Sequence, residues 1–280
     1  MIIPGLSFFA CGGNGDTNEE TDNLPDNPKE QLVAFSDFVG NVKSLQPIVE
    51  NLDEAYNMFE ANKTGFTPEE KDSACILYVD LMDKISLTED KEDKGDNYKD
   101  LKEKFEPYGF NIGGGEGYLW LIPDVNAAGK RFEKDISSDL REYLRLGEIT
   151  GKQYSADAGM MISYEEWGDI LIDLEDRIRA NRDSKYYDRF IVTYQDYLYW
   201  YMWGMDNTPI TDWDTGYLSE EVKAAYSKLV DDKTHRTGEI IRLHWFEFEV
   251  GGPEIAMEEH WEPTKEEIEH YFYDELEEME

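Results

Sequence analysis

The chain has 280 residues, and 63 Asp and Glu against 27 Lys and Arg give it a formal net charge of −36 and a sequence pI near 4.3. Such a chain repels phosphate, which disfavours direct nucleic-acid binding, and its two cysteines cannot make a disulfide framework. A mean hydropathy of −0.67 leans towards disorder, but an aromatic content of 14 % supplies material for a core, and the length allows one large domain or two small ones.

Residues 1–11 read MIIPGLSFFAC, a short apolar run ending at Cys11. It falls short of the about 20 residues that a membrane-spanning helix needs. Residues 12–28, GGNGDTNEETDNLPDNP, hold almost nothing apolar and predict a flexible acidic tether. Ala10 followed by Cys11 resembles the end of a bacterial lipoprotein signal peptide, where a small residue precedes the cysteine that is lipidated. Phe8 and Phe9 depart from that pattern, and the positive segment that should come first would need a start further upstream. The resemblance covers the first 28 residues and implies an address. The protein would lie in the bacterial cell envelope, periplasmic or surface-exposed, and touch the membrane only through a lipid on Cys11.

From residue 29 onward the pattern is helical. Asn27-Pro28-Lys29-Glu30, Thr67-Pro68-Glu69-Glu70, Ser163-Tyr164-Glu165-Glu166 and Thr264-Lys265-Glu266-Glu267 each place a capping side chain three residues before a glutamate. The first accepts a free backbone N–H of the opening turn, and the glutamate reaches back. Ser219-Glu220-Glu221 is a looser version. Part of the acidic excess therefore serves the positive ends of helices. Apolar residues follow at helical spacing, such as Leu32, Phe35 and Val39, then Leu52, Ala55 and Phe59, then Ala74, Leu77, Tyr78, Leu81 and Ile85. Cys75 lies among them and reads as buried packing. The mixed charges of 88–106 predict a solvated helical face or loop, closing an N-terminal helical unit over 29–107.

The remainder, 108–280, opens with the one break in the helical pattern. Two apolar runs flank Gly113 to Gly117 and predict a small β-hairpin over 109–122. A phosphate loop would need Lys-Ser/Thr after the glycines, and Tyr118-Leu119-Trp120 follows instead. Beyond it, 167–250 reads as two helical hairpins that turn at 181–184 and 231–234. Helix, polar turn and aromatic-rich helix are similar to tetratricopeptide-type hairpins of envelope lipoproteins, although the repeat signature of that family is absent. The phrases Asp157 to Ser163 and Gly204 to Pro209 are likewise similar to segments of bacterial envelope proteins. At the end, Glu258 to Glu280 carries eleven acidic residues and one Lys, yet Ile268, Tyr271, Phe272, Leu276 and Met279 mark one face, which predicts a docked helix with a solvated acidic back. The expected fold is mainly α: a multi-helix, helical-hairpin domain with one small β-hairpin.

Tyr186 to Trp203 holds nine aromatics in eighteen residues, spread round the helix. Such a helix is central to the fold or keeps a face for a partner. The loop after it brings Asp206 and Asn207 towards Trp200, Trp203 and Trp213, and these five form the candidate binding site for a neutral polar ligand, peptide or glycan. No cofactor is expected. Calcium is the one exception that the sequence leaves open, at Asp212 and Asp214, although the spacing fails the twelve-residue calcium-loop template. The four histidines lack His-x-x-x-His spacing, and neither Gly-x-Ser-x-Gly nor Ser-x-x-Lys occurs.

The function this implies is non-catalytic binding of a protein, peptide or glycan by an envelope lipoprotein. One alternative is an acidic immunity protein or inhibitor that neutralises a basic partner. A second is a carboxylate-dependent carbohydrate-active enzyme, for which the sequence nominates no catalytic residue. With translation from the true start in the native host, Cys11→Ala should move the protein out of the membrane fraction. An unmodified chain that stays soluble with Met1 present would disprove the anchor.

Overall fold

The computed structural model describes residues 28–44, 48–86, 91–92, 97–115, 117–251, 264–266, 268 and 270–273. The expected signal remnant, Cys11 and residues 12–27 of the tether lie outside the described residues, as do Leu276 and Met279, while Pro28, read as the last tether residue, opens the first helix, where its missing N–H costs nothing. The fold is mainly α, as the capping signals and apolar stripes predict.

The first helices are α1 (Pro28–Ser44), α2 (Glu50–Asn62) and α3 (Pro68–Ser86). At α3 the capping box forms as expected: Glu70 N donates to Thr67 Oγ1 at 3.2 Å and Thr67 N to a Glu70 carboxylate oxygen at 2.8 Å. Next come β1 (Lys91–Glu92), α4 (Asn97–Phe105) and a 3-10 turn over Glu106–Tyr108. The predicted hairpin is present as β2 (Phe110–Gly115) and β3 (Tyr118–Pro123), paired antiparallel with Ile112 opposite Leu121. The sequence did not show that β1 joins it, giving a three-stranded sheet of order β1-β3-β2. Two residues carry no period-2 pattern, so the strand in 88–106 was illegible.

Three short helices follow, α5 (Val125–Phe132), α6 (Ser138–Leu144) and α7 (Gly147–Thr150). Side chains of Asp124 and Ser137 cap the first two. The predicted helical hairpins then appear as α8 (Tyr164–Ala180) with α9 (Tyr187–Trp203), and α10 (Glu220–Asp231) with α11 (Arg236–Gly251). The Ser163–Glu166 capping box opens α8, and the Ser219 hydroxyl accepts from Val222 N at the start of α10. Two further strand pairs lie between the helices: β4 (Ser155–Ala156) with β5 (Gly159–Met160), and β6 (Gly204–Met205) with β7 (Thr208–Pro209). Among the described residues no helix is long and apolar enough to cross a membrane.

The buried apolar residues fall into two clusters that part between Leu144 and Leu146, beyond the boundary at 107 that the charge pattern suggests. In the first, the Phe132 ring of α5 meets Tyr56, Phe59 and Tyr78 at centroid distances of 5.2, 4.7 and 5.3 Å. In the second, α9 is central. Tyr187, Phe190, Ile191, Tyr194, Leu198 and Tyr201 are buried at helical spacing. Two of the three Tyr hydroxyls find polar partners: Tyr187 donates to Phe272 O at 2.9 Å, and Tyr194 pairs with Thr237 Oγ1 at 2.8 Å, whereas the buried Tyr201 hydroxyl meets none among the described residues. Stacked rings of Tyr143 and Tyr186, 5.3 Å apart, pack against both clusters.

Two acids enter the interior and hold helix starts from a distance. Asp72 on α3 accepts Ser137 N at 2.8 Å, Ser137 Oγ at 2.7 Å and Lys185 Nζ at 2.6 Å. Burial opposes its charge, but Lys185 and the Ser137 amide and hydroxyl hold the carboxyl below its usual range. Glu175 on α8, with no exposed surface, accepts Arg236 N at 2.6 Å, Thr237 N at 2.8 Å and Thr237 Oγ1 at 2.6 Å, and pairs with Arg179 at 2.8 Å. It caps α11 from another helix, where the dipole favours an anion.

The C-terminal stretch is helical in its described residues, with Ile268 and Phe272 buried in the second cluster. The Phe272 ring stands edge-on to Tyr194 at 5.6 Å. Phe272→Asp should therefore destabilise the fold by about 3–5 kcal/mol, a lost aromatic contact plus a charge forced into apolar surroundings. An unchanged melting temperature would show that the segment does not dock.

Just ahead of α11, His235 sits between two carboxylates. Its Nδ1 lies 2.6 Å from Asp232 and its Nε2 3.1 Å from Asp176, while Glu175 adds a third nearby negative charge. Only the imidazolium can donate from both nitrogens. Burial alone would lower the pKa, but the hydrogen bonds to Asp232 and Asp176 outweigh it and raise the pKa above its ordinary value of 6.5. A raised folded pKa means the stabilisation is complete below about pH 6.5 and is lost as pH climbs through the folded value. The melting temperature should fall over that window, and His235→Gln should flatten the fall. An equal slope in that variant would refute the assignment.

Candidate functional site

At one end of the α8–α9–α10 group the chain makes three successive tight excursions. Gly204 ends α9 at φ +73 and ψ −162. The φ is positive but the ψ lies outside the left-handed helical region, and the residue opens β6. A Cβ at this position would lie 2.7 Å from Thr208 O and 2.9 Å from Ile210 N, so only glycine admits so close a return of the chain.

The Asp206–Asn207 tip of this hairpin rests on the neighbouring one. Asn207 N donates to Ala158 O at 2.8 Å, and its side-chain Nδ2 donates to Asp157 O. Met160 N donates to Thr208 Oγ1 at 3.0 Å. Asp157 and Ala158 both have positive φ, of 50 and 52, an arrangement that costs about 1 kcal/mol or more for each non-glycine residue. The contacts from Asn207 hold that turn in place.

The third excursion spans 210–219. Ile210 and Leu218 are buried at its base, and Ser219 N donates to Ile210 O at 2.9 Å. At its head, Asp212 Oδ1 accepts Asp214 N at 3.1 Å, Thr215 N at 3.0 Å and Thr215 Oγ1 at 3.0 Å. Those bonds, led by the Thr215 hydroxyl, hold the Asp212 carboxyl below its usual range.

The five candidate binding residues separate into three kinds. Trp200 and Trp203 are half-buried and pack against the second apolar cluster. The Trp203 ring stands edge-on to His244 at 4.9 Å. Asn207 is exposed, but its amide group ties two hairpins together. Asp206 and Trp213 face solvent, Trp213 at 79 % exposure, with Tyr217 at 59 % on the same turn. The tryptophans therefore do not form one platform. The helix period turns Trp200 and Trp203 back to the core, while Trp213 stands out on a turn held by hydrogen bonds.

For calcium, Asp212 offers an oxygen already committed to three donors within its own turn, and Asp214 is exposed. Among the described residues no group of three or more His, Cys, Asp or Glu side chains converges as a metal ion requires. Cys75 is buried as expected, and burial pushes its thiol up, away from a reactive thiolate.

Charge completes this end of the molecule. Residues 153–176 and 190–222 contain no Lys, Arg or His, and hold seven and six acidic residues respectively. These spans include all three excursions and the helix starts beside them. The basic side chains that follow them are paired: Lys223 with Glu220 at 2.8 Å, and Lys228 with Glu165 at 3.0 Å and Asp169 at 2.8 Å.

The sequence did not nominate a second place, an open pocket of about 550 Å3 between α2, α3, α4, α5 and the 3-10 turn. At its wall, Arg131 donates to Asp53 Oδ1 at 2.7 Å and to the Tyr78 hydroxyl at 3.0 Å. The guanidinium lies over the Tyr56 ring, 4.2 Å from its centre. Tyr108 donates to Asp53 Oδ2 at 3.1 Å. The hydrogen bond from Arg131 holds the Asp53 carboxyl below its usual range, the reverse of what a general acid requires. Burial raises the Tyr78 phenol to about 12. The members of this cluster are up to 78 residues apart, so no local motif announces it. In comparisons with known proteins, no family model, curated protein or solved structure matches this chain.

Proposed function

We propose that this chain is a non-catalytic binding protein of the bacterial cell envelope, held by a lipid on Cys11 and the tether 12–28, and that its hairpin end docks a cationic segment of a peptide or protein. The observation that carries the reading is Trp213, 79 % exposed on an ordered turn within a part of the chain that has no basic residue from 190 to 222. An indole already held out on an ordered turn contributes, once covered by a partner, more binding energy than most residue types.

The chemistry selects the partner. Trp213 and Tyr217 offer ring faces, and Asp214 on the same turn and Asp206 on the preceding hairpin offer exposed carboxylates. Lysine and arginine side chains use both, through cation–π contact and ion pairing. The chain's −36 charge would speed encounter with a basic partner and repel an acidic one. This favours a protein or peptide ligand over a glycan at this end, because the indole stands out on a turn with 79 % of its surface in solvent.

A tryptophan-free, arginine-rich peptide titrated into the full chain should alter its tryptophan emission. The association rate should drop steeply as salt rises from about 50 to 500 mM. Trp213→Ala should weaken the interaction about tenfold or more with a melting temperature unchanged within about a degree, because the site is on the surface. Binding that survives this substitution, or that ignores salt, would overturn the reading.

A further inference from the structure

The pocket beside Arg131 has no part in the docking surface just described, and it is built differently. We propose that it is a binding site for a neutral polyhydroxylated ligand, a saccharide unit. Its volume of about 550 Å3 lies within the range of about 300–1,000 Å3 that small-molecule sites occupy.

Three observations carry the proposal. The first is fixed but unsaturated hydrogen-bonding capacity. The Arg131 guanidinium is held on three sides, by the Tyr56 ring, the Tyr78 hydroxyl and Asp53, yet among the described residues its side chain uses two of five N–H donors. Each Asp53 oxygen accepts one hydrogen bond, from Arg131 or from Tyr108, and a carboxylate has room for about four. Tyr78 is 1 % exposed and accepts from Arg131, while its own hydroxyl hydrogen meets no acceptor among the described residues. Donors and acceptors thus lie side by side at the pocket wall with their geometry already set. Vicinal hydroxyls, each both donor and acceptor, match such a pair.

The second observation is charge. Asp53 and Glu103 oppose Lys104 and Arg131 in the lining, which is formally neutral on a chain of −36. An anion would meet two carboxylates and a cation would meet a guanidinium and an ammonium. A neutral ligand meets neither cost.

The third is shape. Tyr108 and Pro107 give the pocket an apolar wall against which the C–H face of a sugar ring can lie. That wall is brought in by Gly109 at φ +87, where a Cβ would come within 2.7 Å of the Ala127 side chain. The close approach keeps Tyr108 in reach of Asp53.

The test uses the full chain on an immobilised panel of neutral oligosaccharides, with sulfated and sialylated oligosaccharides alongside. The wild-type protein should retain at least one neutral member in preference to the charged ones. Asp53→Asn keeps the shape and removes the charge; it should lower that retention about tenfold or more, the scale of a charge-assisted hydrogen bond. Tyr108→Phe should lower it less, and thermal melting of both variants should confirm that they fold. Trp213→Ala should leave saccharide retention intact, which separates this site from the docking surface. Retention of no neutral member, a preference for charged ones, or retention untouched by a folded Asp53→Asn variant would each overturn the proposal.

Discussion

The fully buried carboxylate of Glu175 constrains the second half of the molecule more than any other group. A carboxylate without solvent is tolerated only when its charge and lone pairs are met in place. Here they are met by the first two amides of α11, the Thr237 hydroxyl and Arg179. That requirement fixes where α11 begins relative to α8. Through Thr237 it reaches the Tyr194 hydroxyl, and so α9 as well. Three helices are registered by one anion, and the apolar cluster among them fills the space that the registration defines.

Asp72 repeats the device in the first half. It sits on α3, holds the N-terminus of α6 and takes the ammonium of Lys185 from the turn before α9. It therefore ties the segment before the parting of the apolar clusters to the segment after it, next to the stacked pair Tyr143 and Tyr186. Glu175 acts as a remote helix cap on the free N–H groups of α11, whereas Asp72 buttresses the local Ser137 cap of α6 by accepting from its N–H and hydroxyl. In a chain with so many carboxylates, these two are inside for an identifiable reason.

The same economy separates framework from surface elsewhere. Asn207 and Asp212 direct their side chains to backbone amides and carbonyls, and so keep three tight turns in one arrangement. What these turns present outward is then fixed: Trp213, Tyr217 and carboxylates without a basic neighbour in the local sequence. In the first half, the framework residues Tyr56 and Tyr78 hold Arg131 against Asp53 at the pocket wall. The two surfaces differ in charge, one acidic and one balanced, and so suit different ligands.

By itself the sequence determined the local structure, because capping and periodicity are encoded within a few residues. Thr67 with Glu70 and Ser163 with Glu166 start helices as read, the two helical hairpins turn near 181–184 and 231–234, and the glycine-flanked hairpin forms at 110–123. The docking of Ile268 and Phe272 was legible in their spacing despite the acidic composition around them. Tertiary structure alone decided the rest. Two-residue strands such as β4 to β7 have too few positions to show alternation. On α9, aromatics all round the helix hide which face is inside, so Trp200 and Trp203 could not be told from the outward-facing Trp213. Which carboxylates are internal depends on donors about 60 residues away, as for Glu175 with Arg236 and Thr237 and for Asp72 with Ser137. The Arg131 cluster spans a similar separation. These are long-range pairings, and a local pattern carries no information about which distant segment the packing of the core brings into reach.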